Sequence, residues 1–249
     1  ALSSAASDVY KRQMEPIQIQ NSPEAPELTI LMPCLNEEAN LPDAIRSARK
    51  FLTDNQVLGE ILIVDNGSTD RSAEIARSLD ARVISVPERG YGNALRAGIR
   101  QAQGIYTIMG DCDTTYDFEH LLPFLAELRS GTRFVIGDRF AGGITPGAMP
   151  FSHRYIGVPI LSFIGRIRYH LDIRDFHCGL RGFHTAVAQQ LPLHTSGMEF
   201  ATELIACFAA HGASIAQVPT TLSVSSHPRK SHLHSIRDGL RHLRFMFQS

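Results

Sequence analysis

The sequence has no CxxC pair, and its four cysteines (Cys34, Cys112, Cys178, Cys207) lack histidines at zinc-binding spacing. That excludes a structural zinc module and fits free thiols in a reducing compartment. No apolar run is long enough to cross a bilayer as a helix. The net charge of −1 gives no global pull toward nucleic acid or an anionic membrane, so any such affinity is local. Internal repeats and low-complexity segments are also missing. No lysine lies between Asp113 and Arg229, an absence that bears on the chemistry below.

What is present suffices for one large globular domain: 249 residues, 43% hydrophobic and 20% charged. The opening "ALSSAASDVYKRQ" has no initiating Met, no periodicity and no apolar core of signal-peptide type, and reads as an adapter remnant. Residues 14–27, with three prolines, read as a flexible lead-in. The expected division is therefore a non-native or disordered lead-in over 1–27, a domain over 28–225, and a basic tail over 226–249.

From Leu28 the pattern is regular. "LTILMP", "EILIVD", "ARVISVP", "YTIMGD" and "RFVIGD" read as strands. They alternate with helical spacing over "EEANLPDAIRSARKFL", "RSAEIARSL", "GYGNALRAGIRQA" and "EHLLPFLAELRSG". Strands without polar alternation, separated by helices, predict a mainly parallel α/β sheet covered on both faces. Ligands of such sheets bind beyond the carboxyl ends of the strands. The polar clusters fall there: Asn36 and Glu37, Asp65 and Asn66, Arg89 and Gly90, Asp111 and Asp113, Asp138 and Arg139. One crevice would collect them all. Further on, "HRYIGVPILSFIGRIRYHL" reads as an amphipathic helix with an apolar stripe of Ile156, Ile160, Phe163, Ile164, Ile167 and Leu171. "GMEFATELIACFAAHG" reads as another helix and "SIAQVP" as a short strand.

Asp111 and Asp113 sit two apart on an extended chain, so both carboxylates point to one side and can converge on a hard cation. Magnesium takes one or two carboxylates and completes its shell with water and phosphate oxygens. A pair of solvated acids capping the next helix would look the same in sequence. "DCDTT" also fits the DxDxT pattern of aspartyl-phosphate phosphatases, but these need a downstream lysine and a second acidic pair; no lysine follows the motif before Lys230, and Gly137-Asp138 has no partner acid. "GYGNALRAG" lacks the third glycine of a dinucleotide loop and follows the third strand rather than the first.

Taken in order, "PCLNEEANL", "IVDNGSTDRS", "RGYGNALRAG", "GDCDTTYD", "IGDRF", "DFHCGLRGF" and "GMEFATEL" resemble the family-two GT-A glycosyltransferases, closest to the polyprenyl- or dolichyl-phosphate sugar synthases. The resemblance implies a Rossmann-like GT-A fold and an inverting, metal-dependent hexosyltransferase. Its donor would be a nucleotide-diphosphate sugar (UDP-glucose or GDP-mannose type), its acceptor polyprenyl phosphate, and its place the cytoplasmic face of the membrane, in cell-envelope glycan biosynthesis. It implies that Pro33, Asn36, Glu37, Asp65, Asn66, Arg89, Gly90 and Asp111 border the nucleotide, and that Asp111 and Asp113 hold Mg2+ or Mn2+. Relatives often carry a Gln where this chain has Thr115, which leaves Asp117 to serve as a third ligand. Asp175, Arg181, Arg139 and Glu199 are the implied catalytic residues, with Asp175 and then Glu199 as base if the acceptor is a hydroxyl. Arg139 and Arg181, with Arg229, Lys230 and Ser231, would hold an acceptor phosphate. Two other readings stay open: the same fold glycosylating a saccharide or small-molecule hydroxyl, and a non-catalytic, membrane-docking scaffold with a nucleotide pocket.

From residue 226 the chain carries five basic residues (Arg229, Lys230, Arg237, Arg241, Arg244) against one acid, Asp238. Leu233, Ile236, Leu240, Leu243 and Phe247 recur at spacings of three and four, which predicts a basic amphipathic helix attracted to a membrane interface. An ordinary surface helix packed on the domain would show the same pattern. No nucleic-acid partner is expected.

Overall fold

Uninterrupted apolar runs become central strands because helices cover both faces of the sheet. The computed structural model describes residues 25–227 and 235–248. Among these, seven strands form one sheet: β1 (Leu28–Cys34), β2 (Gly59–Asp65), β3 (Arg82–Ser85), β4 (Tyr106–Met109), β5 (Phe134–Asp138), β6 (Arg181–His184) and β7 (Ile215–Pro219). Their order is β3-β2-β1-β4-β6-β5-β7. β1 to β4 are mutually parallel, with Leu31 opposite both Leu62 and Met109. β6 runs antiparallel between β4 and β5, and β7 pairs parallel with β5. Six strands therefore end at one edge of the sheet, the five that the sequence pattern places there and β7.

The helices are α1 (Leu41–Asp54), α2 (Ser72–Ser78), α3 (Tyr91–Gln101), α4 (Leu122–Arg129), the single turn α5 (Arg139–Gly142), α6 (Val158–Tyr169), α7 (Thr185–Gln190), α8 (Phe200–Ala210) and α9 (Ser235–Gln248). Helix α1 shows the local logic. Pro42 fits its first turn, where no backbone donor is needed, and Leu41, Ile45, Ala48 and Leu52 turn inward. The core runs through the sheet from Leu31, Leu62 and Met109 to Phe134, Phe183 and Phe208.

Three features could not be read from the sequence. "LRGFH" holds a strand, β6, that its Arg-Gly start conceals. The stripe of Ile156, Ile160, Phe163 and Ile167 does not face the core; these side chains are 53–60% exposed. Helix α6, entered through a wide turn at His153–Gly157, packs instead through Ser162 and Gly165. Small residues are required there. A Cβ at Gly165 would meet the Phe176 ring at 2.9 Å, and Ser162 Oγ accepts from Phe176 N at 3.2 Å. Finally, α9 docks through Asp238, His242 and Met246, while Leu240 and Phe247 face out.

Candidate active site

The loops after β1 and β2 interlock. Asn36 adopts a left-handed backbone (φ 56°), and its Oδ1 accepts from Thr69 N at 2.7 Å. Asn36 N donates to Ser68 Oγ at 3.0 Å, and Ser68 N donates to Asp65 Oδ1 at 3.0 Å. Glu37 is buried; its N–H donates to Ser72 Oγ, and its Oε2 accepts from Asn40 Nδ2 at 3.0 Å. Asn66 is less open to a ligand than the sequence suggests. Its Nδ2 donates to the carbonyls of Val86 and Glu88, and its Oδ1 accepts from Gly90 N at 2.7 Å. Its amide pins the loop after β3. Arg89 is exposed and lies over the Gly67 turn, donating to Gly67 O at 3.4 Å.

Asp111 and Asp113 follow β4, the neighbour of β1. Cys112 between them donates to Pro33 O at 3.1 Å, which ties the acidic pair to the first loop. Asp113 Oδ1 accepts from Thr115 N at 3.1 Å and Thr115 Oγ1 at 2.6 Å, leaving Oδ2 outside that turn. Thr115 thus orients the acid rather than extending a ligand set. Asp111 Oδ1 takes the Tyr91 hydroxyl at 3.3 Å. Burial, then the Asp111 carboxylate, pushes the Tyr91 phenol well above its ordinary value, so it stays a donor. Asp111 Oδ2 lies where a Cβ at Gly179 would come within 2.8 Å, so the glycine admits the carboxylate.

Asp117 does not join this pair. Its Oδ1 caps the following turn at Glu119 N (2.8 Å), and its Oδ2 meets His120 Nδ1 at 2.7 Å. Among the described residues no group of three or more His, Cys, Asp or Glu could hold a metal ion. The carboxylates of Asp111 and Asp113 are of the hard oxygen type that Mg2+ takes together with water and phosphate oxygens.

The arginines are placed by burial. Arg139 and Asp175 form a two-pronged ion pair, Nε–Oδ2 2.6 Å and Nη2–Oδ1 2.8 Å. Asp175 is wholly inaccessible and also accepts from His177 N. Burial opposes the Arg139 charge, but the Tyr116 hydroxyl and the Asp175 carboxylate hold its pKa well above the ordinary value. Asp175 is thus enclosed with Arg139 rather than open to a substrate, unlike the accessible base that the resemblance implies. Arg181 is also fully buried. It donates to the carbonyls of Phe176, Cys178 and Ala201, folding the "DFHCGLR" turn around itself. Three of its five N–H donors go to backbone, so it braces this loop from inside. Glu199 begins α8; its Oε1 accepts from Gly197 N, and its Oε2 faces Arg241 of α9 at 3.4 Å.

Gly90 does allow a close backbone approach (φ 144°), but the approaching atom is Ser196 O, 2.3 Å from where a Cβ would sit. The loop before α8 is clamped in turn by buried Glu203, which accepts from His194 N and Thr195 N. Across the crevice, residues 222–227 bridge both halves of the site. Ser226 N donates to Thr114 Oγ1 at 2.9 Å, and His227 N donates to Asn40 Oδ1 at 3.0 Å. Arg229, Lys230 and Ser231 follow directly and lie outside the described residues, as does Leu233.

The sequence reading missed Tyr91, Tyr116 and Asn40. Tyr116 Oη accepts from Gly179 N at 2.8 Å, which joins the acidic loop to the arginine loop. Tyr91 and Tyr116 lie inside quoted motifs, so their sequence neighbourhood was the available signal. Asn40 gave none, because its partner His227 is 187 positions away.

The profile of the family described as "Glycosyl transferase family 2" matches residues 29–191. The chain is 38% identical over 245 residues to the low-salt glycan biosynthesis hexosyltransferase Agl6 of Haloferax volcanii, covering 97% of this chain and 58% of that protein. It is 31% identical over 195 residues to a dolichyl-phosphate hexose transferase of the same organism, covering 78% of this chain and 81% of that protein. Among solved structures, glucosyl-3-phosphoglycerate synthase from Mycobacterium tuberculosis, in complex with Mn2+ and UDP-glucose, superposes with a TM-score of 0.66. That match covers 98% of this chain and 81% of the other at 22% identity, and establishes the GT-A fold.

Proposed function

The chain belongs to glycosyl transferase family 2, and we propose that it is an inverting hexosyltransferase that moves a sugar from a nucleotide diphosphate to polyprenyl phosphate at a membrane surface. The observation that carries the choice of acceptor is the enclosure of both candidate bases. Asp175 is sealed against Arg139, and Glu199 is nearly buried, its Oε2 facing Arg241 at 3.4 Å without a hydrogen bond. A hydroxyl acceptor needs a carboxylate to take its proton. A phosphomonoester has a second pKa of about 6, so near neutral pH it arrives with an ionised oxygen and needs only to be aimed. Relatives named for dolichyl-phosphate hexose and mannose transfer support the same acceptor class.

In this reading the loops of Asn36, Glu37 and Asp65 shape the nucleotide pocket, with Arg89 at its rim. Asp113 and Asp111, the latter steadied by Tyr91, would hold a divalent cation. When bound, that ion supplies the positive charge that stabilises a diphosphate leaving group. Arg139, locked in direction by Asp175, presents its remaining nitrogen Nη1 to the acceptor phosphate. The acceptor oxygen forms the bond to the anomeric carbon from the face opposite the departing diphosphate, which leaves with the electron pair of the broken C–O bond. The anomeric configuration is thereby inverted.

The test is transfer of label from a panel of radiolabelled nucleotide sugars to polyprenyl phosphate, with Mg2+ or Mn2+, read as organic-extractable product. Metal-dependent label that disappears in Asp113→Ala is the expected result, and the active donor names the sugar. Label moving only to a sugar hydroxyl would select the saccharide acceptor. Nucleotide binding without turnover on any acceptor would select a scaffold.

A further inference from the structure

Glu203, in the first turn of α8, is as inaccessible as Asp175, but it holds a loop rather than an arginine. Its Oε1 accepts from His194 N at 2.9 Å, and its Oε2 accepts from Thr195 N at 3.0 Å and Thr195 Oγ1 at 2.5 Å. His194 Nδ1 adds a contact at 2.7 Å, but that side chain is 74% exposed, where an ion pair is worth little. Three donors from two successive residues thus converge on one carboxylate. Only a group that accepts at both oxygens satisfies them, and an amide does not. A carboxylate enclosed in this way cannot reach a substrate, so its role lies in what the loop touches.

The loop touches the amino end of α3. Ser196 O accepts from Gly92 N at 3.0 Å, and the carbonyls of Thr195 and Ser196 leave no room for a Cβ at Gly92 or Gly90. From the opposite side, Asn66 Oδ1 accepts from Gly90 N. The Gly90–Gly92 turn is therefore gripped from two directions, by the loop after β2 and by the carbonyls that Glu203 holds in place. Tyr91 lies inside that grip, and its hydroxyl is the donor to Asp111 Oδ1. Arg89 precedes it and lies over the Gly67 turn. A shift of the Thr195–Ser196 carbonyls would release Gly92 N first and then move Tyr91 relative to Asp111.

We propose that Glu203 is a positioning residue of the nucleotide-sugar site: it holds the Thr195–Ser196 carbonyls against the first turn of α3, and so sets Tyr91 on Asp111 and Arg89 at the rim of the pocket. The inference rests on the nucleotide-sugar reading above and adds to it a carboxylate that faces no ligand. A clamp that served stability alone would tighten the fold evenly. This one has a local output, the α3 turn that carries Tyr91.

The experiment compares Glu203→Gln and Thr195→Val with the native chain by two readouts. Hydrogen exchange follows the Gly92 amide against the amides of β1 and β2, and calorimetry follows the affinity for UDP and GDP in the presence of Mn2+. The expected result in Glu203→Gln is faster exchange at Gly92 with β1 and β2 unchanged, and nucleotide affinity weakened about tenfold. Thr195→Val removes only the hydroxyl bond, and should move both readouts the same way by less. In turnover, KM for the nucleotide sugar rises while KM for the acceptor holds. If Glu203→Gln does not fold, Thr195→Val decides by the same two readouts. Faster Gly92 exchange with unchanged nucleotide affinity overturns the proposal and leaves Glu203 a clamp for stability alone. Exchange that rises equally through β1 and β2 overturns it as well, because the loosening is then global. A native chain that binds neither nucleotide refutes the nucleotide-sugar reading itself, and the proposal with it.

Discussion

Asp175 shows how burial changes the meaning of a residue that motif matching singles out. Enclosed with Arg139 at 2.6 Å, it cannot meet a substrate, but it fixes the direction of the guanidinium. Removing one partner of a buried ion pair costs about 3–5 kcal/mol, because the survivor is left charged and uncompensated. Asp175→Ala should therefore lower urea-unfolding stability by about that amount, and Asp175→Leu/Arg139→Met should regain a large part of it. The same substitution separates positioning from base catalysis. If Asp175 only holds Arg139, Asp175→Asn lowers kcat and leaves the acidic limb of the pH–rate profile in place. A limb that vanishes would restore Asp175 as the base. The sequence made the residue types legible, since Asp175, Arg139 and Arg181 all sit in quoted motifs. It did not reveal that Arg181 is consumed by three carbonyls or that Asp175 is consumed by Arg139. The Asp175 pairing depends on packing between segments 36 positions apart, and the Arg181 carbonyls lie 3 to 20 positions away.

At the scale of elements, the strands of the parallel half were legible because burial on both faces leaves an unbroken apolar run. Strand β6 was not, because Arg181 and Gly182 carry no such run and gain their place from neighbours on both sides. Helices α6 and α9 expose a second limit. Amphipathic spacing reveals two faces but not which one meets the protein. In α9 the inward face is Asp238, His242 and Met246, with His242 Nδ1 2.8 Å from Thr202 Oγ1 and its ring edge-on to His177 at 4.7 Å. Burial pushes His242 down from 6.5 to about 4, with Glu199 and Asp238 opposing that shift and Arg181 adding to it. Burial, then His242, likewise pushes His177 well below its ordinary range. Between pH 6.5 and about 4 the unfolded chain binds the His242 proton and the folded chain does not. Stability therefore rises with pH through that window and falls on acidification. Going from pH 7.5 to pH 5, the His242 contribution to that loss is about 2 kcal/mol. Urea unfolding at the two pH values should show a smaller loss in His242→Gln than in the native chain. An identical loss would mean that α9 docking does not require a neutral His242.

The whole molecule places six strand ends on one edge, and the loops they feed are joined by side-chain bonds rather than by the sheet. Asn36 reaches Thr69, Cys112 reaches Pro33, Ser226 reaches Thr114, and His227 reaches Asn40. A ligand gripping several of these loops at once must stabilise the entire fold, because each loop is anchored in a different strand of one sheet. The proposed donor site can thus be read as a shift in melting temperature. A nucleotide diphosphate at about 100 times its Kd adds roughly 2.7 kcal/mol, which for a chain of this size raises Tm by roughly 5–10 °C. The shift should require Mn2+ or Mg2+ with the nucleotide and should shrink in Asp113→Ala, which removes a half-buried carboxylate bonded to Thr115 in its own turn. Comparing UDP with GDP under those conditions names the base. A shift of equal size without metal, or one retained in Asp113→Ala, would remove the acidic pair from the diphosphate site. Asp111 and Asp113 would then be acids held by Tyr91 and Thr115 for the sake of the loop itself.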